Sequence, residues 1–573
     1  MIYRFFCWFL ILFACFYGLG SIPLLDDMEG LYASIARDML KTHQFIIPHL
    51  NGLPYLEKPP LLYWLLAASM SIFGVGAGAA RLIPALALFA TARMMQRLIQ
   101  RATRSEEAGF AAALIMVTSL PLFAIGRMVL CDMLMTYFLT ASLGGFYEWY
   151  ISPPSPLKEK EGWEVNRILQ SKSLFPSLTL KRQGKLYQFY GFLALAVLTK
   201  GFVTIILAVG AIALFLFAQR SPRQRWLHIL SPSGILLFLL IATPWHIAAV
   251  LQEPGFAWFY FINEHLLRFL NMRQPHDYYT GYAWYYLPRI LIYLMPWTPF
   301  LALFSYKLPP TGTKPPTHYQ TLPHFLWSWF LFSLLFFSAS GAKANYYMIA
   351  GMPALIMLLA LRLKGRIEPD HRILHKLAAM ALSLTIIVLP VIKYFCHIDS
   401  GELYPACEAL SWGIMGEAAL FVAIAAALCY RLPPRWTVPL VASSILWLLP
   451  LLSSALHAAE SRLSQQPVAA YLKQSGYDNA ALYQEFEEWS ALAFYLDQPL
   501  PMVDTQSNDL LYGQRQSHGG FIPLSSWGQK PQWPLLVSIS KLDKVLTQLQ
   551  AMNIGKFCVL RSFERVAVVA PCR

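Results

Sequence analysis

The chain has 573 residues, of which 57% are hydrophobic and only 13% charged, with a formal net charge of +14. A soluble protein of this length carries roughly twice that charged fraction, which excludes an ordinary soluble enzyme. The basic excess does not mark a nucleic-acid partner, because it sits in short loops between apolar runs and no nucleic-acid motif accompanies it.

In chain order, apolar runs long enough to cross a bilayer as helices are predicted at 4–25, 80–97, 108–125, 133–150, 186–199, 201–218, 229–250, 284–306, 323–340, 346–362, 374–394, 412–430 and 437–456. The first is read as a retained span, since it is long for a signal peptide and no A-x-A-like cleavage site follows it. Counting from a cytoplasmic N-terminus places Arg97, Arg101, Arg104, Arg220, Arg223, Arg225, Lys307, Lys314, Arg431 and Arg435 on the cytoplasmic side. The opposite side keeps only scattered cations, as the positive-inside rule requires. The apolar stretch 59–73 would flip every later basic loop if it crossed, so it is read as interfacial or re-entrant.

The first external loop, 26–60, gathers Asp26, Asp27, Glu29, Asp38, Glu57 and Lys58 in a chain that otherwise uses charge sparingly. Within it, Leu31, Ile35 and Met39 recur at helical spacing opposite Ser34, Arg37, Asp38 and Lys41, which predicts an amphipathic helix lying on the membrane surface. The stretch 151–185 reads as a cytoplasmic insertion of mixed charge, and 251–283 as a second external loop rich in aromatics. After residue 457, helical stretches (466–474, 488–496, 541–551) alternate with strand-like runs (480–484, 534–540, 556–561, 565–570). The expected fold is therefore an all-α polytopic membrane domain of about thirteen transmembrane helices over 1–456, followed by a small external α/β domain over 457–573. Among the eight cysteines none shows metal-type spacing. A Cys396–Cys407 bridge is expected within one external loop, while Cys558 and Cys572 share the C-terminal domain.

With the parity fixed, the charged residues at span ends all face one side. They are Asp26, Asp27, Glu29, Glu57 and Lys58, then Arg127 and Asp132, Lys200 in a T-K-G turn, Glu264, His265 and Arg268, and Lys343 with Tyr346 and Tyr347 in an S-G-A-K-A-N-Y-Y turn. Each also has a local explanation. Asp26 with Glu29 fits a capping box, Glu264 and Arg268 form an i,i+4 pair, Lys200 and Lys343 can snorkel, and Asp132 can pair with Arg127. Asp132, a lone carboxylate beginning an apolar run, is the strongest single candidate. Together the set suits a reaction with a phosphate leaving group near the membrane surface. Lysines and arginines would neutralise the phosphate, and a carboxylate would orient or deprotonate the acceptor. A divalent metal held by Glu57 or the acidic pair is compatible with these residues but not specified by their spacing.

Several stretches carry a resemblance: D-D-M-E-G-L-Y-A-S-I-A-R-D-M-L at 26–40, the run I-I-P-H-L-N-G-L-P-Y-L-E-K-P-P-L-L-Y-W at 46–64, and G-A-A-R-L-I-P-A at 78–85. To these add V-L-C-D at 129–132, L-T-K-G at 198–201, N-E-H-L-L-R-F at 263–269, and F-F-S-A-S-G-A-K at 336–343 followed by Tyr347. In these the chain resembles the bacterial 4-amino-4-deoxy-L-arabinose transferases of lipid A, which belong with protein O-mannosyltransferases among the polyprenyl-phosphate-dependent GT-C glycosyltransferases. The resemblance implies an undecaprenyl-phosphate-linked sugar donor, lipid A or another envelope acceptor, and an inner-membrane enzyme with a periplasmic active site and C-terminal domain. It implies catalytic carboxylates at Asp132 and in the first loop at Asp27 or Glu29, and a donor-phosphate shell of Lys58, Lys200, Arg268, Lys343 and Tyr347. It also implies metal-site residues at Glu57 and His265. The family usually shows an adjacent Asp-Glu where this chain has Met28-Glu29, which leaves the choice between Asp26 and Asp27 open. A protein O-mannosyltransferase or another envelope glycosyltransferase has the same pattern. A transporter or lipid flippase is the reading from a different class, and the absence of inverted repeats and of mid-bilayer charges weighs against it.

Overall fold

The computed structural model describes residues 1–26, 28–152, 175–276, 281–305, 319–367, 372–384, 412–458, 463–484, 486–505, 507, 510, 512–513, 521–553 and 555–572. Asp27, Cys396 and Cys407, and most of the 151–185 insertion, lie outside them.

The chain begins with helix α1 (Ile2–Phe16), shorter than the run that predicted it. Its last carbonyls are taken up by Arg127, whose guanidinium donates to Ala14 O at 2.9 Å and also to Tyr17 O. Helix α2 (Met28–Thr42) follows, then the two-residue strands β1 (His49–Leu50) and β2 (Leu53–Pro54), paired antiparallel. The stretch expected to be interfacial or re-entrant is helix α3 (Leu61–Phe73), which turns at Gly74 into α4 (Ala77–Thr103). At 1.5 Å per residue α3 is about 20 Å long, short of a hydrocarbon core of about 30 Å.

The predicted span at 108–125 is two helices, α5 (Glu106–Thr118) and α6 (Leu120–Ile125), separated at Ser119, with Pro121 opening the second. Ser105 caps α5 by accepting the Ala108 amide at 3.1 Å. Next come α7 (Cys131–Ile151), α8 (Phe175–Lys200), α9 (Val203–Ala218), α10 (Arg223–Ile229) and α11 (Pro232–Gln252). A π-helical segment at Trp258–Leu267 occupies the second loop. The predicted span at 284–306 is a broken pair, α12 (Tyr286–Tyr293) and a 3-10 helix (Thr298–Phe304), bent by 109° around Pro296. Helices α13 (Leu322–Ala339) and α14 (Met352–Ile367), then Trp412–Arg431 and Thr437–Ala458, complete the apolar helices named by position. Among the described residues four helices are long and apolar enough to cross a membrane, Ala77–Thr103, Arg223–Gln252, Leu322–Ala339 and Tyr347–Lys364, or five with the bent pair taken as one span. Cys7, Cys15 and Cys429 are buried among apolar neighbours.

The C-terminal segment forms a six-stranded sheet of order β5-β4-β3-β6-β8-β7, from β3 (Ala481–Tyr483), β4 (Met502–Val503), β5 (Phe521–Ile522), β6 (Leu535–Ser538), β7 (Phe557–Ser562) and β8 (Val566–Pro571). The first four run parallel, and β8 pairs antiparallel with both β6 and β7. Alternation decides which face goes where. Leu482 and Leu536 join the main core with the membrane helices, while Ala481, Tyr483, Leu535 and Val537 pack beneath Val545 and Leu549. Cys558 and Cys572 are disulfide-bonded.

The amphipathic helix α2 departs from its prediction. Its polar face is partly covered by the helix at Ser490–Leu496 and by Asp497 just after it, with Lys41 still exposed. Ser34 donates to Ser490 O, Arg37 pairs with Asp497 at 2.6 Å, and Lys41 pairs with the same carboxylate. Gly30 makes the approach possible, because a Cβ there would lie 2.3 Å from the Ala491 backbone nitrogen. Asp26 completes the tie. Its Oδ1 accepts the Ala491 amide at 3.2 Å and its Oδ2 accepts from Gln465 Nε2 at 3.0 Å.

Candidate active site

Two antiparallel helices set the first contact. Helices α7 and α8 pack along their length, with Ser142 Oγ donating to Phe189 O at 2.9 Å and Gln188 Nε2 to Ala141 O at 3.1 Å. This brings the start of α7 beside the end of α8. Asp132 in the first turn of α7 therefore meets Lys200 in the last turn of α8, and the two form an ion pair. Each charge also lies at the helix end its sign favours. The Asp132 side chain is 2% exposed and that of Lys200 11%. The Lys200 ammonium stands 5.0 Å from the Tyr347 ring and 5.2 Å from the Tyr346 ring, so the S-G-A-K-A-N-Y-Y turn forms an aromatic wall. Asp132 does not pair with Arg127, which is occupied at the end of α1.

Behind Lys200 the chain turns at Gly201, whose φ of +90° is open to glycine. Space requires glycine as well, since a Cβ would stand 2.4 Å from His265 Nε2. The Phe202 amide donates to that nitrogen at 3.0 Å, and His265 Nδ1 bonds the Tyr260 carbonyl at 2.6 Å. These contacts fix a neutral imidazole with its proton on Nδ1. Burial, helped by Lys58 and Arg268, brings its pKa down to about 4, against the raising effect of the Tyr260 carbonyl.

The second contact joins the first and second loops. Arg273 donates through Nε to Glu264 Oε1 at 2.5 Å and through Nη2 to Glu57 Oε1, while Arg268 Nη1 donates to Glu264 Oε2 at 2.8 Å. Lys58 is held more loosely, 3.5 Å from Glu57 Oε2. Burial alone would raise the Glu57 pKa, but Arg273, then Lys58 and Arg268, outweigh it and hold the carboxyl down at about 2. The two contacts meet at His265, which follows Glu264 in the chain and accepts the amide two residues after Lys200, so they belong to one charged cluster.

Not every expected residue joins it. Lys343 donates to the carbonyls of Phe337, Ser338 and Ser340, at 2.9, 2.7 and 2.5 Å, and so caps the end of α13. Glu29 is buried and saturated. It accepts from Arg81 Nε at 2.9 Å and Nη2 at 2.6 Å, from the Val129 amide at 3.0 Å, and from the Leu25 amide at 3.1 Å. The returning half of the capping box anticipated between Asp26 and Glu29 is not made, because the Asp26 amide donates instead to Leu463 O at 3.0 Å. Asp27 lies outside the described residues. Glu57 and His265, expected at a metal, do not fit one as arranged. The Glu57 carboxylate is paired with Arg273 and Lys58, and the one imidazole lone pair accepts the Phe202 amide. Among the described residues no group of three or more His, Cys, Asp and Glu could hold a metal ion. Arg273 was not foreseen, since it lies beyond the E-H-L-L-R-F run and nothing in its local spacing marks it.

An apolar groove of about 350 Å³ opens beside the cluster, between α8 and α11, lined by Val197, Phe202, Phe238, Ala242, His246 and Phe261 among others.

Residues 24–260 match the family model described as dolichyl-phosphate-mannose-protein mannosyltransferase. The chain is similar to an undecaprenyl phosphate-alpha-4-amino-4-deoxy-L-arabinose arabinosyl transferase of Serratia proteamaculans, 26% identical over 91% of this chain and 90% of the relative. A transferase of the same description from Proteus mirabilis is 27% identical over 73% of this chain and 72% of its own length. The fold is that of ArnT from Cupriavidus metallidurans, solved with bound undecaprenyl phosphate. The two superpose with a TM-score of 0.78 at 21% identity, over 99% of this chain and 97% of that one. The family resemblance read from the sequence is thus borne out by the comparisons.

Proposed function

We infer that this chain belongs to the polyprenyl-phosphate-dependent GT-C glycosyltransferases, and that it moves 4-amino-4-deoxy-L-arabinose from an undecaprenyl-phosphate carrier to lipid A. The observation that carries this reading is the Asp132–Lys200 pair set in a cation-rich cluster beside an apolar groove. An amphiphilic phosphate matches both surfaces: Lys58, Arg268 and Lys200 for its charge, and the groove for its prenyl tail.

In the reaction an acceptor oxygen attacks the anomeric carbon while the bond from that carbon to the phosphate oxygen breaks. The electron pair leaves with the prenyl phosphate. Lys58, Lys200 and Arg268 stabilise the charge gathering on that leaving group. Asp132, held in place by its ion pair with Lys200, orients the acceptor and takes its proton. Tyr347 closes the site over Lys200.

The protein is a multi-pass inner-membrane enzyme in this reading, with thirteen spans and the cluster facing the periplasm. The Cys558–Cys572 disulfide supports an oxidising location for the C-terminal sheet, and the sign bias of the loops supports the same parity. The mannosyltransferase description over residues 24–260 favours a second reading, a protein acceptor. Mass spectrometry of lipid A from cells with and without the chain separates the two. An aminoarabinose adduct that appears only with the chain is expected, and an unchanged glycoform pattern would exclude lipid A as acceptor.

A further inference from the structure

Within the charged cluster, two carboxylates compete with the expected donor for the same cations. Glu57 neighbours Lys58, and Glu264 lies one helical turn before Arg268. Left to themselves, two carboxylates and two cations at close range would neutralise each other and leave nothing for a phosphate. The geometry provides a fifth charge. Arg273 sits between the carboxylates and takes Oε1 of each, through two different nitrogens. A guanidinium can do this because its donors are fixed in a fork, so one side chain serves two acceptors without reorganising. Its own side chain is only 6% exposed, so water screens these contacts little. The second Glu57 oxygen faces Lys58 at 3.5 Å, and the second Glu264 oxygen faces Arg268 at 2.8 Å. The competition is blunted on one side and shared on the other.

We propose that Arg273 is a positioning residue that takes up charge of Glu57 and Glu264, so that these carboxylates compete less for Lys58 and Arg268 when the phosphate of a polyprenyl-phosphate donor binds. This rests on the donor assignment above. Arg273 does not touch the reacting atoms in this role. It sets the charge of the pocket, where among the described residues Lys58, Arg268 and Arg273 outnumber Glu57 and Glu264 by one. It also staples the second loop to the first, because Glu57 and Glu264 come from separate segments.

The test measures undecaprenyl-phosphate binding and steady-state transfer by the full chain in nanodiscs. Arg273→Gln is expected to weaken binding, and to raise the KM for the donor, by about tenfold or more, the scale of one lost charged hydrogen-bond partner. The kcat at saturating donor should change far less. Arg273→Lys, which keeps the cation, should recover most of the loss. Removing the freed competitor in Arg273→Gln/Glu264→Gln should recover part of it, which a merely structural arginine would not allow. Wild-type binding together with Arg273→Gln affinity within about twofold of it would overturn this role alone, as would an Arg273→Lys variant as weak as Arg273→Gln. A wild-type chain that fails to bind undecaprenyl phosphate at all would instead overturn the donor assignment, and this role with it.

Discussion

Glu29 and Glu57 come from the same acidic loop and end in opposite environments. Glu29 is buried against Arg81, and two backbone amides complete its shell, so one cation answers one anion. Glu57 belongs to a cluster in which Lys58, Lys200, Arg268 and Arg273 face Glu57, Asp132 and Glu264. The first arrangement is closed and builds the loop. The second carries, among the described residues, a surplus of positive charge beside an apolar groove and can accept an anion. A carboxylate at a membrane surface is costly in either setting. What separates structure from chemistry is whether the protein itself supplies all its partners.

The comparison can be broken at its reactive end first. Asp132→Asn should lower transfer by about 10³-fold, the range expected for a lost general base, while the protein still inserts and accumulates. Normal turnover in a transfer assay with purified variant would move the base elsewhere. The closed end gives the next largest effect. Glu29→Gln leaves Arg81 buried and under-compensated, a cost of about 3–5 kcal/mol, to be read as a large drop in thermal unfolding temperature and in membrane yield. If that variant were fully stable yet inactive, Glu29 would rejoin the catalytic carboxylates and the distinction drawn here would fail. The smallest effect belongs to the junction that holds the loop in place. Gly30→Ala forces α2 off the Ala491 backbone and should cost about 1–3 kcal/mol. Limited proteolysis should then release the C-terminal sheet more readily than in wild type.

Much of this was legible in the sequence for a physical reason. Asp132 and Lys200 are lone charges at the ends of apolar runs, and a lone charge in that position has few partners to choose from. The strands at 481–483, 535–538, 557–562 and 566–571 announce themselves as short apolar runs between turns. Other features depend on contacts that no local pattern encodes. The polar stripe of α2 reads as a face for water, and only the fold reveals that Ser490 and Asp497 cover part of it. Lys343 and Lys200 look alike in sequence, each in a short turn after an apolar run. Yet one folds back onto the carbonyls of its own preceding helix and the other reaches a carboxylate on a neighbouring one. Arg273 is one more arginine in a loop until the first and second loops are seen together. The bend at Pro296 was hidden for the opposite reason, since hydropathy continues unbroken through it.

Phe202 carries one further consequence. Its amide is fastened to His265 and its ring lines the groove, so a single residue forms the seam between ionic and oily surroundings. A molecule seated there must change character as abruptly as the wall does, from anion to hydrocarbon within a bond or two. Water-soluble nucleotide sugars, polar from end to end, would leave the greasy half of that seam unfilled.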